Sequence, residues 1–200
     1  MSLHRFIAYL VSDWIEWAGF ITAVIGIWYS TKRKVINWPI TLVSDILYFV
    51  VFMRANLMSS AWLQFAFLAF TFYGWWNWGH GAKQGDGVRV EKASRGSLVV
   101  ALLMGAIGSG LWGWFMARQG AALPYIDAVV SVFSLVATWW ETRKHIANWW
   151  LWIVVNIVAV GEYTFQKLWP TVFLYLILVA LAVVGLRDWR RAAATVQVAA

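Results

Sequence analysis

The 200-residue sequence has no cysteine, three histidines, three prolines and nine acidic residues. Without cysteine there is no disulfide framework, no thiolate metal site and no cysteine nucleophile. His4, His80 and His145 are too scattered for a histidine metal spacing. Neither a phosphate-cradling glycine loop nor a GxSxG nucleophile elbow is present. These absences argue against an enzyme, and no cofactor is expected. Charge is scarce too: 12% of residues are charged, against roughly 25% in an ordinary soluble domain. That excludes a typical water-soluble fold. The 16 Lys and Arg residues leave a net charge of +7, but they lie between apolar segments and not along one solvated face, so no nucleic-acid partner is implied. Residues 1–13 carry His4, Arg5 and Asp13 and lack the pattern of a cleaved signal peptide.

What remains is apolar. Hydrophobic residues make up 62% of the chain, 17 of them tryptophan, and a spanning helix needs about 20 mostly apolar residues. Seven segments qualify as helices, at about 14–30, 38–53, 61–78, 97–117, 125–140, 149–165 and 170–186; open strands cannot satisfy their backbone groups in lipid. The first and fifth are short and edged by acids, Glu16, Asp127 and Glu141, and an internal repeat supports them. Residues 14–78 align without gaps on 125–189 at an offset of 111, matching Thr31-Lys32-Arg33-Lys34-Val35-Ile36-Asn37-Trp38 to Thr142-Arg143-Lys144-His145-Ile146-Ala147-Asn148-Trp149. The same offset pairs Glu16 with Asp127, Trp28 with Trp139, Asp45 with Asn156, Gly74 with Gly185 and Trp78 with Trp189.

Each repeat holds three helices, so one linker helix is needed if both are to sit the same way up. The expected fold is therefore an all-α integral membrane protein of seven transmembrane helices, two parallel three-helix repeats joined by a linker helix (3+1+3). Its divisions are repeat 1 at 14–78, a polar loop plus linker helix at 79–124, repeat 2 at 125–189 and a cytoplasmic tail at 190–200. Alternate loops divide Lys and Arg unevenly: Arg5, Arg54, Arg118 and Lys167 on one side, the other twelve on the opposite side. The positive-inside rule then places the N-terminus outside and the C-terminus in the cytoplasm.

Helix two presents Trp38, Thr41, Asp45, Tyr48 and Phe52 on one face. Helix six repeats it with Trp149, Trp152, Asn156, Ala159 and Tyr163. Each repeat thus turns aromatics around one central polar residue. An aspartate near a helix centre costs about 2.5–3.5 kcal/mol on the insertion scale and should face the bundle interior or a watery path. Asp45 and Asn156 are either a binding site or packing glue between helices. Helix three aligns Gln64, Phe67, Thr71, Trp75 and Trp78, and Tyr175 matches Gln64 in the second repeat. Gln64 offers a donor and an acceptor, and Trp75 a plane for a flat ring, unless both simply pack. Tryptophans near helix ends (Trp14, Trp17, Trp38, Trp78, Trp149, Trp150, Trp169, Trp189) read as interfacial belts. Asn37 and Asn148 read as N-caps, or, with Trp38 and Trp149, as a cytoplasmic gate in which Arg33 and Lys144 meet Glu141 or backbone carbonyls. Glu16 and Asp127 are either an outer gate or first-turn acids favoured by the helix dipole. Glu162, near the outer end of helix six, either draws in a cation or reaches the headgroups.

Taken in order, Trp14-Ile15-Glu16, Asn37-Trp38-Pro39, Gln64, Tyr73-Gly74-Trp75, Trp78, Asp127, Asn148-Trp149-Trp150-Leu151-Trp152, Asn156, Tyr175 and Gly185 resemble the PnuC family over about residues 14–190. That resemblance implies a fold like that of the SWEET sugar transporters. It also implies a facilitative carrier in the bacterial inner membrane, a homotrimer, taking up nicotinamide riboside that is trapped inside by phosphorylation. Gln64, Trp75, Asn156 and Tyr175 would surround the substrate, with the Asn37-Trp38 and Asn148-Trp149 pairs near the cytoplasmic end. Relatives in the resemblance carry thiamine, riboflavin or deoxynucleosides. Asp45 and Glu162 depart from the family pattern by adding negative charge. Nicotinamide riboside and thiamine carry a fixed positive charge on an aromatic ring, which acids and aromatic faces favour; riboflavin and deoxynucleosides are neutral. Thiamine carriage stays an alternative, as does a membrane protein that only binds partner helices.

Overall fold

The computed structural model describes residues 14–54, 58–81, 89–120, 123–165, 167 and 169–198. Seven helices occur among them: α1 Trp14–Thr31, α2 Asn37–Arg54, α3 Met58–Gly81, α4 Arg95–Arg118, α5 Pro124–Thr142, α6 Ala147–Phe165 and α7 Trp169–Val198. They fall on the seven expected segments, and α7 runs on through most of the stretch set apart as a tail. Large apolar side chains such as Ile21, Phe72, Leu111, Ile157 and Phe173 are exposed on the outer surface, as a lipid solvent requires. Arg95–Arg118 and Thr171–Thr195 are each long and apolar enough to cross a membrane by length and composition.

Helix contacts close a ring: α1 on α2, α2 on α3, α3 on α5, α5 on α6, α6 on α7, and α7 back on α1, with α4 outside against α5. Both contacts between the three-helix sets join a first helix to the third helix of the other set. This is the pattern that a two-fold relation between repeats produces.

The turns after α1 and α5 share one construction. Arg33 and Lys144, 111 residues apart, have φ of +56° and +62°, the left-handed conformation that ends a helix in a Schellman motif. The bonds match: Arg33 N–H to Ser30 O at 2.9 Å and Lys34 N–H to Tyr29 O at 3.1 Å in one, Lys144 N–H to Glu141 O at 2.8 Å and His145 N–H to Trp140 O at 2.9 Å in the other. Asn37 Nδ2 then donates to Lys34 O at 2.8 Å, and Asn148 Nδ2 to His145 O at 2.7 Å. These asparagines therefore staple the turn behind them. The N-cap reading is corrected on this point: each carboxamide is a donor to a carbonyl three residues back, and Asn148 Oδ1 accepts no bond.

Four tryptophans from the two repeats meet at this end. Trp38, Trp78, Trp149 and Trp189 are at most 2% exposed. Trp38 stands edge-on to Trp78 (centroids 5.2 Å apart), Trp149 edge-on to Trp189 (5.5 Å), and Trp78 meets Trp189 at 5.7 Å. The interfacial-belt expectation fails for these four, because the helix ends they occupy converge on one another instead of facing headgroups. It agrees with the exposure of Trp14, Trp17 and Trp150; the side chain of Trp169 lies outside the described residues. The duplicated glycines are the reason the rings fit. A Cβ on Gly74 would lie 2.3 Å from Trp38, and one on Gly185 would lie 2.6 Å from Trp149.

Candidate functional site

The helix ring encloses an elongated cavity of about 330 Å³, within the size range of small-molecule sites. From α2 it is lined by Asn37, Trp38, Thr41, Asp45 and Tyr48, and from α6 by Trp149, Trp152, Asn156 and Tyr163. The two repeated faces thus look at one space. Helix α3 adds Gln64, Phe67 and Thr71, and α7 adds Tyr175. Thr71 Oγ1 donates to Asp45 Oδ2 at 2.8 Å, fixing the carboxylate on the cavity wall. Tyr163 and Tyr175 pair with ring centroids 5.1 Å apart.

Trp75, expected around the substrate, does not line the cavity, and neither do Asn148 and Glu162. Trp75 is 41% exposed and outside the cavity lining. The inward stripe of α3 runs 64, 67, 71, 74, 78, so that helical spacing delivers Gly74 to the interior and turns Trp75 outward. Asn148 is fully buried in its turn. Glu162 is 4% exposed on α6 beside Tyr163, but does not line the cavity. Asp127 lines it from the first turn of α5. The side chain of its partner in the expected outer gate, Glu16, lies outside the described residues, as does that of Phe52.

One wall escaped the sequence reading. Asp127, Ser131, Ser134, Thr138 and Glu141 all line the cavity from α5. Their spacings of 4, 3, 4 and 3 are a legible helical face. Ser134 and Thr138 donate their hydroxyl protons to Val130 O and Ser134 O, at 2.7 and 2.9 Å, which leaves oxygen lone pairs as their remaining capacity. Glu141 Oε1 accepts from Ser30 Oγ at 2.5 Å. Lys144 Nζ meets the backbone carbonyl of Asn77 at 3.0 Å, as one arm of the gate expectation had it, while Glu141 takes Ser30 instead of a cation. Asn156 is 3% exposed and its Oδ1 has no partner.

The wall therefore combines three carboxylic acids, an unpaired carboxamide oxygen and spent hydroxyls, with no Lys, Arg or His among the described lining residues. No group of three or more metal-ligating side chains occurs among the described residues.

A closed helix ring with a lipid-compatible outside and an acid-bearing cavity between two repeats is the build of a membrane transporter. The family model described as "Nicotinamide mononucleotide transporter" matches residues 13–191, and the chain belongs to that family. It is 27% identical to the nicotinamide riboside transporter PnuC of Escherichia coli (strain K12) over 205 residues, covering 88% of this chain and 85% of the relative. It is 30% identical to the riboflavin/roseoflavin transporter RibM of Streptomyces davaonensis over 187 residues, covering 88% and 84%. Its fold matches the crystal structure of the vitamin B3 transporter PnuC with a TM-score of 0.77 at 20% identity, over 94% of this chain and 87% of that one. Family and relatives are transporters, not enzymes.

Proposed function

We propose that this vitamin transporter carries nicotinamide riboside by facilitated diffusion, binding it between the repeats, with phosphorylation inside the cell drawing net uptake. The observation that carries this reading is the acceptor-rich, acid-lined cavity with no cationic side chain among the described residues of its wall. Such a wall favours a cation with several hydrogen-bond donors. Nicotinamide riboside supplies the ring charge, a carboxamide NH2 and ribose hydroxyls. Asp45 would face the pyridinium charge, Gln64 and Asn156 the carboxamide or ribose, and Tyr48, Trp152, Tyr163 and Tyr175 would frame the ring. The Asn37-Trp38 and Asn148-Trp149 pairs would gate the basic, cytoplasmic end, and Asp127 with Glu16 the outer end. The uneven Lys and Arg count supports a cytoplasmic C-terminus. The homotrimer implied by the family resemblance belongs to the same reading and is checked by light scattering in detergent.

The identity to the riboflavin/roseoflavin transporter makes riboflavin the second reading. Counterflow into proteoliposomes, without ATP or an ion gradient, separates them when nicotinamide riboside, thiamine and riboflavin are presented in turn. Exchange of nicotinamide riboside, weakened at least about tenfold in KM by Asp45→Asn through loss of a charge-assisted contact, is the expected result. Exchange of riboflavin alone reassigns the substrate. Unimpaired exchange in both Asp45→Asn and Gln64→Ala removes the assigned site.

A further inference from the structure

Several bonds tie the two repeats together at the tryptophan end, among them Asn77 Nδ2–H to Thr142 O at 2.7 Å and Lys144 Nζ–H to Asn77 O at 3.0 Å, and three more meet at a single pair of residues. Ser30 and Glu141 occupy the same position of the two repeats and are bonded to each other, Ser30 Oγ–H to Glu141 Oε1. Trp78 Nε1–H crosses to Glu141 O at 3.1 Å, and Trp189 Nε1–H crosses to Ser30 O at 3.0 Å. The carboxylate in this knot also lines the cavity. Its side chain accepts from Ser30, which uses one of the roughly four lone-pair sites a carboxylate offers. The one ion pair among the described residues, Lys32–Asp188, crosses between the repeats at this same end but does not include Glu141. A carboxylate inside a membrane protein calls for a countercharge, and the described residues of the cavity wall supply none.

Its position fits a second station on a path. Asp45 is eight residues into α2 from Asn37 and so stands about 12 Å from the tryptophan end, at 1.5 Å per residue. Asp127 is fourteen residues before Glu141 on α5, about 21 Å away on the same count. Asn156, buried with an unpartnered Oδ1, lies on the wall between them.

Resting on the substrate reading above, we propose that Glu141 is a specificity-determining residue that receives the positive charge of the substrate from Asp45 and, in doing so, releases Ser30 and with it the one side-chain bond of this knot that depends on the carboxylate. A cation outcompetes a neutral hydroxyl for a carboxylate. Arrival of the cargo at the closed end thus weakens one of the contacts that keep it closed, whereas a neutral molecule leaves the Ser30 bond in place.

The test uses counterflow with nicotinamide riboside and with its neutral 1,4-dihydro form. Glu141→Gln keeps shape and acceptor oxygen but removes the charge. It is expected to raise KM for the cation by about tenfold or more while moving that of the dihydro form less than about twofold. Ser30→Ala keeps the charge and removes the tie, so its maximal exchange rate rises without an increase in KM for the cation. Equal effects of Glu141→Gln on both substrates, or none on either, overturn the proposal, as does a Ser30→Ala variant that behaves like Glu141→Gln. If Glu141→Gln fails to fold, Glu141→Asp takes its place: it retains the cation preference and loosens Ser30, and loss of that preference refutes the role. Wild-type protein that ignores nicotinamide riboside refutes the proposed substrate and not Glu141, which is then judged on thiamine against riboflavin. Wild-type preference for riboflavin in that pair overturns it.

Discussion

Gly74→Ala is the smallest change with a large expected effect. The added methyl carbon would lie 2.3, 2.4 and 2.5 Å from three atoms of the six-membered ring of Trp38, well inside van der Waals contact. Trp38 is 2% exposed and stands edge-on to Trp78 at 5.2 Å, so it can give way only by leaving that contact and entering the cavity it lines. Overpacking of this kind costs about 1–3 kcal/mol. At the upper end that exceeds the gain of about 0.4–1 kcal/mol from replacing a compatible glycine by alanine. In a chain of this size each kcal/mol moves Tm by roughly 2–4 °C. Thermal unfolding in detergent should therefore show Gly74→Ala several degrees below wild type. Gly79→Ala on the same helix, where nothing lies within 4 Å, should sit at or above wild type. Trp38→Phe removes the clashing atoms, so the double variant Gly74→Ala/Trp38→Phe should lose less than the sum of its parts. A Gly74→Ala protein with wild-type Tm, or strictly additive losses in the double variant, would refute the idea that the glycine exists to seat the indole.

Trp189→Phe removes a buried bond to Ser30 O and should cost about 0.5–1.5 kcal/mol from the bond alone, whereas Trp14→Phe, at a 61% exposed position, should stay within about 0.5 kcal/mol of wild type; equal melting of the two disproves the cross-repeat tie. Burial holds His145 below its ordinary value of 6.5, with Arg143 pushing the same way and Glu91 opposing. The unfolded chain then binds the extra proton first, so the His145 contribution is complete above pH 6.5 and is lost as pH falls from there toward the lower folded value. Stability measured from pH 8 to 5 should drop on that limb, and His145→Gln should flatten it; an unchanged limb in the variant assigns the effect to other groups.

Much of the site was readable because the chemistry is written twice. The offset of 111 picked out the faces of α2 and α6, and Asp45, Tyr48, Trp152, Asn156 and Tyr163 do line one cavity. Trp75 was misplaced because a stripe of aromatics does not reveal which of two adjacent positions faces inward; that depends on the neighbour, here Trp38 seated on Gly74. Glu141 was read only as a helix-edge acid and a gate contact, since a C-terminal acid looks solvated until the opposing helix brings Ser30 to it. The four end tryptophans looked interfacial for the same reason.

The sequence by itself determined a lipid solvent, seven helices, a duplication and a surplus of positive charge in alternate loops, because these depend on composition and on periodicity along the chain. Only the tertiary structure decided that the duplicated turns meet across the repeat axis. There Ser30 faces Glu141 and the four indoles bury one another, since contacts between positions 111 residues apart arise from how two folded units dock and not from any local preference.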